Sequence, residues 1–222
     1  ADGIIPMTPA SDDRDVQALI AAGVPTVLLV RRHEQVQLDF CGIENTHSMQ
    51  VALQHLWALG HRRIGFIGGP QTFSGAVERL AAYEKFMLGK AGEVDRTLID
   101  YGEYSIESGS GAATRLLRRS PAPTALMVAE DMMALGALIV AKELGVRVPD
   151  DLSIVGWDDL FVSGLPQVSL TTMQVPKWEL GGNAARLLLR RIADRSAALD
   201  TRLVRPQLIV RSTTGPVPAD PK

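Results

Sequence analysis

The chain has 222 residues, of which 46% are hydrophobic and 22% are charged. This composition predicts a globular protein that is long enough to bury a sizeable core. Because 23 Lys and Arg nearly balance 25 Asp and Glu, the chain lacks the basic excess typical of proteins that bind nucleic acid by themselves. Its adjacent arginine pairs are scattered along the sequence, which favours solvated faces and helix ends over a DNA-binding patch.

Apolar runs of strand length alternate with helical patterns along the chain. The predicted strands span 3–7, 26–30, 63–67, 98–101, 124–129, 153–156, 168–172 and 208–210. The predicted helices run from an N-cap at Ser11 or Asp12 to Gly23, and then over 48–59, 76–88, 108–118, 132–144 and 180–192. Such alternation predicts an α/β protein whose parallel sheet is covered on both faces. The polar, proline-rich tail is predicted to be frayed.

The lone cysteine, Cys41, excludes an internal disulfide. With no signal peptide and no apolar run long enough to span a bilayer, the sequence predicts a cytoplasmic protein.

The glycine-rich stretch GFIGGP follows a predicted strand, as a nucleotide-binding loop would. Its glycines, Gly65, Gly68 and Gly69, do not have the G-x-G-x-x-G spacing, and no phosphate-loop motif occurs elsewhere. The sequence also lacks a G-x-S-x-G motif, and its four histidines lack the spacing of zinc ligands. We therefore predict no catalytic site, no metal site and no cofactor.

Acidic side chains follow two predicted strands at their carboxyl ends. Glu130 and Asp131 come after one strand, and Asp158 and Asp159 come after the next. Ligands of open parallel sheets bind beyond this edge, and a ligand rich in hydroxyls would satisfy the acids. Trp157 is an aromatic neighbour that is expected to stack on a sugar ring.

Arg79 is a second indication of a binding site. It lies near the start of its predicted helix, where the helix dipole disfavours a cation. Such a position favours a binding task, although an ordinary surface arginine paired with Glu78 remains an alternative.

Five segments, taken in order, resemble the effector-binding core of the LacI/GalR family of regulators. They are HLWALGHRRIGFIGGP, ERLAAYEKFM, PTALMVAEDMMALGALIVAKELGVRVPDDLSIVGWDDL, PQVSLTTMQVP and LIVRST. The resemblance covers residues 1–213. It implies a two-lobed periplasmic-binding-protein-like α/β fold, with parallel sheets flanked by helices. The effector would bind in a cleft between the lobes, flanked by the Gly-His turn and the GGP strand end.

The resemblance also implies how the chain is divided. Residues 1–44 and 175–204 would form the N-terminal lobe, and residues 45–174 and 205–214 the C-terminal lobe, with a disordered tail at 215–222. Family members carry a helix-turn-helix headpiece and two further βα units before the strand matched by GIIPM. By that comparison, the N-terminal lobe is expected to be incomplete.

Six residues match, or lie near, positions that contact effector in the family. Arg79 and Asp158 match family contacts directly, and Glu130 stands where relatives usually have asparagine. Tyr104 lies where relatives place an aromatic ring. Ile43 and Lys177 lie near the positions where the chain crosses between lobes.

The function implied by the resemblance is that of the effector-binding and dimerisation core of a bacterial transcription repressor. A sugar or sugar derivative would control operator binding by a homodimer, through a headpiece absent from this chain, and no membrane contact is implied. The expected dimer contacts are Leu135, Ile139, Val162 and Leu165, although core packing fits Ile139 equally well. A periplasmic sugar-binding protein is the main alternative; an enzyme on a related fold has no supporting motif.

Overall fold

A computed structural model describes residues 1–7, 14–32 and 36–218. The predicted N-cap at Ser11 or Asp12 and the last four residues of the tail lie outside this part. The helices are α1 (Arg14–Ala21), α2 (Asn45–Ala58), α3 (Ser74–Ala91), α4 (Ile106–Leu117), α5 (Asp131–Glu143) and α6 (Lys177–Ala193). The strands are β1 (Val27–Leu29), β2 (Asp39–Ile43), β3 (Ile64–Gly68), β4 (Ile99–Tyr101), β5 (Ala125–Val128), β6 (Ser153–Asp158), β7 (Thr171–Gln174), β8 (Thr201–Val204) and β9 (Gln207–Ile209). Short 3₁₀ helices occupy Arg96–Leu98 and Phe161–Gly164.

Contacts along the chain divide it into two compact units. The first unit is Ala1–Glu44, Thr72–Val77 and Pro176–Pro206, and the second unit is Asn45–Gln71, Glu78–Val175 and Gln207–Lys222. The segment Thr72–Val77 differs from our prediction, which placed it in the other lobe. It groups with the first unit because the Phe73 ring lies 3.6 Å from the Arg31 guanidinium and Ser74 Oγ accepts from the Arg32 N–H at 2.9 Å.

The first unit contains a three-stranded parallel sheet in the order β1-β2-β8. Its apolar core is built from Val16, Leu28 and Phe40. The predicted strand at 3–7 is reduced to one parallel bridge between Ile4 and Thr26. Strands β2 and β8 were not predicted.

The second unit contains a six-stranded sheet in the order β4-β3-β5-β6-β7-β9. The first five strands are parallel, as predicted, and β9 adds an antiparallel strand beside β7. Helices α4 and α5 pack together and contact the sheet, and α2 contacts β5, β7 and β9. Because β3 to β6 run in one direction, the residues that follow them meet at one edge.

The Gly-His turn lies at the opposite, amino edge of this sheet. His61 is fully buried, and its Nδ1 lies 3.0 Å from Thr124 Oγ1, just before β5. Its Nε2 lies 3.0 Å from the Gly215 carbonyl oxygen. Since a carbonyl only accepts, Nε2 carries the proton and Nδ1 accepts from the threonine. The turn therefore anchors the C-terminal segment, which corrects its predicted position beside the effector.

Candidate functional site

A buried arginine lies at the carboxyl edge of the second unit. Arg79 is only 8% exposed. Its Nη1 donates to Asn45 Oδ1 at 3.0 Å, and its Nη2 donates to the Tyr104 hydroxyl at 3.1 Å. The guanidinium carbon lies 5.0 Å from the centre of the Trp157 ring. The alternative that Arg79 is an ordinary surface arginine is thus excluded. Arg79 and Tyr104, which were chosen separately from the sequence, are in contact.

The positions of these side chains follow from the elements that carry them. Asn45 is the first residue of α2, and Arg79 is the sixth residue of α3. Tyr104 lies in the connection between β4 and α4, with φ at +58°, a value uncommon outside glycine and asparagine. Ser105, the next residue, caps α4 by accepting from the Ser108 N–H. The residue that follows the tyrosine is therefore fixed by the start of α4.

Arg79 has no carboxylate partner in the described part of the chain. Both of its hydrogen-bond acceptors are neutral groups, and its buried Nε has no partner. The neighbouring Glu78 instead accepts from Asn45 Nδ2 at 2.7 Å. A buried cation without an acid is unusual, because the loss of hydration is normally offset by an ion pair. The spare N–H groups of Arg79 are thus suited to acceptors supplied by a ligand.

Trp157 does not offer the exposed ring that was expected to stack on a sugar. The side chain is fully buried, and the Arg79 guanidinium lies over its ring. Its indole Nε1 is also buried without a partner. The tryptophan therefore supports the arginine through a cation–π contact instead of forming an open platform.

Glu130 supplies an acid at the same edge. It is half-buried and caps α5, with its carboxylate accepting from the Met133 N–H at 3.1 Å. Burial raises the pKa of Glu130 to about 7; the nearby carboxylates Asp158 and Asp131 act in the same direction, against the lowering effect of the Met132 and Met133 N–H groups. Near neutral pH this side chain is therefore able to donate as well as accept a hydrogen bond.

Asp158 and Asp159 both have positive φ values, +106° and +50°. Strained backbone of this kind concentrates at functional sites. Asp159 has a structural role, because it forms an ion pair with Arg211 at 2.7 Å and accepts a hydrogen bond from Gln174 Nε2 at 2.7 Å. Asp158 is half-buried at the end of β6.

Asp131 is a structural acid. It is fully buried and accepts from the Leu160 N–H, the Ser163 hydroxyl and the Thr172 hydroxyl at 2.6–2.8 Å. Burial nevertheless raises the pKa of its carboxyl. These bonds join the start of α5 to the segment after β6 and to β7, and so hold the edge that carries Glu130 and Asp158.

The other two predicted effector contacts belong to the first unit. Ile43 is the last residue of β2 and is buried, and Lys177 is the exposed first residue of α6. Their role in effector binding stays a prediction.

The predicted dimer contacts lie on α5 and on the turn after β6. Ile139 is 46% exposed, which excludes the alternative that it is a core residue. Leu135, Val162 and Leu165 are half-buried. The sequence prediction missed Phe161, which is 88% exposed in the same turn.

Asn45 is a second residue that was missed. An asparagine at a helix start is commonly a cap, so nothing local indicates that it holds an arginine 34 positions later. In the described ranges, no group of His, Cys, Asp or Glu is arranged to hold a metal ion, and no helix is long and apolar enough to cross a membrane.

Comparison with known proteins agrees with this architecture. Residues 53–214 match the family model of the periplasmic binding protein-like domain. The regulator CelR of Thermobifida fusca is 36% identical over 96% of this chain, which covers 63% of CelR. This chain therefore spans just under two thirds of that relative. Its relatives are transcriptional regulators and not enzymes, as predicted.

Solved structures give the same result. The CelR–cellobiose complex has a TM-score of 0.91 at 35% identity, covering 96% of this chain and 66% of that one. A LacI family regulator from Mycobacterium smegmatis has a TM-score of 0.86 at 32% identity, covering 97% of this chain and 80% of the other. The fold is thus the predicted periplasmic-binding-protein-like one, and the chain belongs to the LacI family of transcriptional regulators, as its effector-binding core.

Proposed function

We propose that the chain binds a sugar or sugar derivative at the carboxyl edge of the second unit, and that this binding controls the DNA binding of the longer regulator. The proposed contacts are Arg79, Tyr104, Glu130 and Asp158. Hydroxyl groups both donate and accept, so a polyol matches an arginine and two acids within one edge. The cellobiose named with the CelR structure supports this ligand class.

The observation that carries the proposal is the unmatched guanidinium of Arg79. A structural arginine at 8% exposure is expected to have an acid of its own, whereas Arg79 is held by an amide and a phenol. These neutral partners orient the Arg79 side chain without neutralising its positive charge. Ligand oxygens are then able to take charge-assisted hydrogen bonds from its remaining N–H groups.

Isothermal titration with cellobiose tests the ligand class. The wild-type chain is compared with Asp158→Asn, since asparagine tolerates a positive φ and the change removes only the charge. Hydrogen bonds to charged groups contribute roughly 1.5–3 kcal/mol, so the affinity should fall about tenfold or more. Asp150→Asn, at an exposed carboxylate on the same unit, is the matched control and should bind normally. The sugar class would be wrong if cellobiose, glucose and ribose all failed to bind the wild-type chain.

We further propose that the longer protein is a cytoplasmic repressor that binds its operator as a homodimer. The dimer contacts would be Leu135, Ile139, Val162 and Leu165, with Phe161 added by the structure. Two exposed apolar side chains, Ile139 and Phe161, support this surface.

Light scattering after gel filtration tests the dimer. Ile139→Glu with Phe161→Glu should give a monomer, because burying two unpaired carboxylates opposes association. Leu88→Glu, at a side chain 58% exposed on α3, should leave the dimer intact. A monomeric wild-type chain, or equal dissociation by Leu88→Glu, would refute this interface.

A further inference from the structure

Gly69 directly follows β3 and lies against the Tyr104 side chain. A Cβ atom added at Gly69 would come within 3.0 Å of three phenol atoms of Tyr104, its Oη, Cζ and Cε1. Real Cβ atoms essentially never approach other atoms so closely, so any larger residue at this position would displace the ring.

The need for glycine here comes from space and not from the backbone. Gly69 is not among the glycines with positive φ, which are Gly23, Gly60, Gly92 and Gly145. An L-residue could therefore adopt its backbone conformation, and the three atoms nearest to an added Cβ all belong to the tyrosine.

The same phenol oxygen accepts the hydrogen bond from Arg79 Nη2 at 3.1 Å. The loop that carries Tyr104 is tied to the end of β3, because the Gly102 N–H donates to the Gly68 carbonyl at 2.9 Å. The ring is therefore fixed between the strand end and the arginine. A displaced ring would release Nη2 and leave Asn45 as the remaining hydrogen-bond partner of the guanidinium, which would then shift relative to the Trp157 ring beneath it.

We infer that Gly69 is a positioning residue, whose missing side chain lets the Tyr104 hydroxyl reach and orient Arg79 for ligand. The second glycine of the GGP segment thus acts on the binding site through the tyrosine. Its effect on affinity rests on the proposed function, whereas its effect on the arginine does not.

Trp157 fluorescence reports on the arginine without any ligand. In a Trp57→Phe, Trp178→Phe background, Trp157 is the remaining tryptophan of the chain. Arg79→Met, which removes the charge over the ring, defines the signal expected when the guanidinium is lost. We expect Gly69→Ala to shift the emission in the same direction. Gly89→Ala, where an added Cβ meets nothing within 4 Å, should leave it unchanged.

A double-mutant cycle of Gly69→Ala with Tyr104→Ala tests whether Gly69 acts on Arg79 through the tyrosine. Gly69→Ala should lower the urea midpoint in the wild-type background and have no such effect once the phenol is removed. The affinity for cellobiose should fall about tenfold in Gly69→Ala and in Tyr104→Ala, and no further in the double variant, because a hydrogen bond to a charged group is lost only once.

The outcomes separate the two proposals. An unchanged Trp157 spectrum in Gly69→Ala, alongside a shifted one in Arg79→Met, would overturn the inference. A full Gly69→Ala effect in the Tyr104→Ala background would do the same. Failure of cellobiose to bind the wild-type chain would count against the proposed ligand and leave the spectrum and the urea cycle to decide the role of Gly69.

Discussion

The two units each contain a site built around arginine and at least one buried side chain, and the two sites differ in their acids. In the first unit, Asp39 is fully buried and bonds to Arg191 at 2.8 Å and to Arg190 at 3.0 Å. The Asp200 N–H also donates to it at 2.8 Å. In the second unit, the buried Arg79 meets only neutral acceptors.

The difference is the one expected between arginines that build the fold and an arginine that, as we propose, binds a ligand. Burial alone raises the pKa of Asp39, but the hydrogen bonds from Arg191 and Asp200 and the charges of both arginines hold it below its usual value. Charge and counter-charge are therefore matched inside the first unit. At Arg79 the match is incomplete, so a buried charge costs stability that a ligand is able to recover.

The largest expected effect comes from breaking the matched site. Asp39→Ala should reduce the free energy of unfolding by about 3–5 kcal/mol, because it leaves two partly buried arginines without their acid. Urea unfolding of the chain measures this loss. Asp200→Ala is the control: its side chain is 32% exposed and its contacts with Arg190 and Arg202 are longer, at 3.6 and 3.2 Å. Its loss should stay within about 1 kcal/mol. If Asp39→Ala and Asp200→Ala reduced the free energy of unfolding equally, Asp39 would not be the main stabilising acid of this site.

The matched site also shows what the sequence was unable to reveal. Arg190 and Arg191 were interpreted as solvated helix-end residues, and β2 was not predicted. Both errors have one cause. An acid such as Asp39 argues against a buried strand unless its ion-pair partners are known. Its partners, Arg190 and Arg191, lie 151 and 152 positions later in the chain. Separations of that kind leave no periodicity or spacing to read.

More of the residues that surround Arg79 were named from the sequence, although not by local pattern alone. Strand ends marked Glu130 and Asp158, since the carboxyl edge of a parallel sheet follows from the alternation of elements. Arg79 was indicated both by its place near a helix start and by the family resemblance, whereas Tyr104 came from the resemblance alone. Their contact depends on the path of the loop after β4 and on the space beside Gly69, and no sequence pattern reveals either of them.

The second prediction replaces the unmatched arginine itself. Arg79→Met keeps an unbranched side chain and removes the charge, so the free energy of unfolding should stay within about 1 kcal/mol of wild type or rise. The affinity for cellobiose should fall by about 2 kcal/mol, roughly thirtyfold, because the charge-assisted bonds are lost. Urea unfolding and isothermal titration measure the two quantities on one preparation.

Arg79→Lys sharpens this test, since it keeps the charge but loses the planar fork that bonds to Asn45 and Tyr104 together. We expect most of the affinity to be lost here as well. A destabilisation of Arg79→Met as large as that of Asp39→Ala would show that Arg79 is a structural residue like its counterparts in the first unit.

The smallest expected effect extends the comparison to the acids. Asp39 is held ionised by arginines, whereas burial raises the pKa of Glu130 to about 7, from an ordinary value of 4.5. Between about pH 4.5 and pH 7, Glu130 therefore keeps its proton in the folded chain and releases it in the unfolded chain. The contribution of Glu130 to the free energy of unfolding is therefore complete below about pH 4.5 and is lost as the pH rises to about 7.

Glu130→Gln should remove this dependence while keeping an oxygen to accept the Met133 N–H. Wild type should lose on the order of 1 kcal/mol more than the variant between pH 5 and pH 7.5. Urea midpoints across that range measure the difference, and Asp131, whose pKa burial also raises, is present in both chains and cancels. Parallel curves would show that Glu130 is as well matched as Asp39, and would remove the contrast between the acids while leaving that between the arginines.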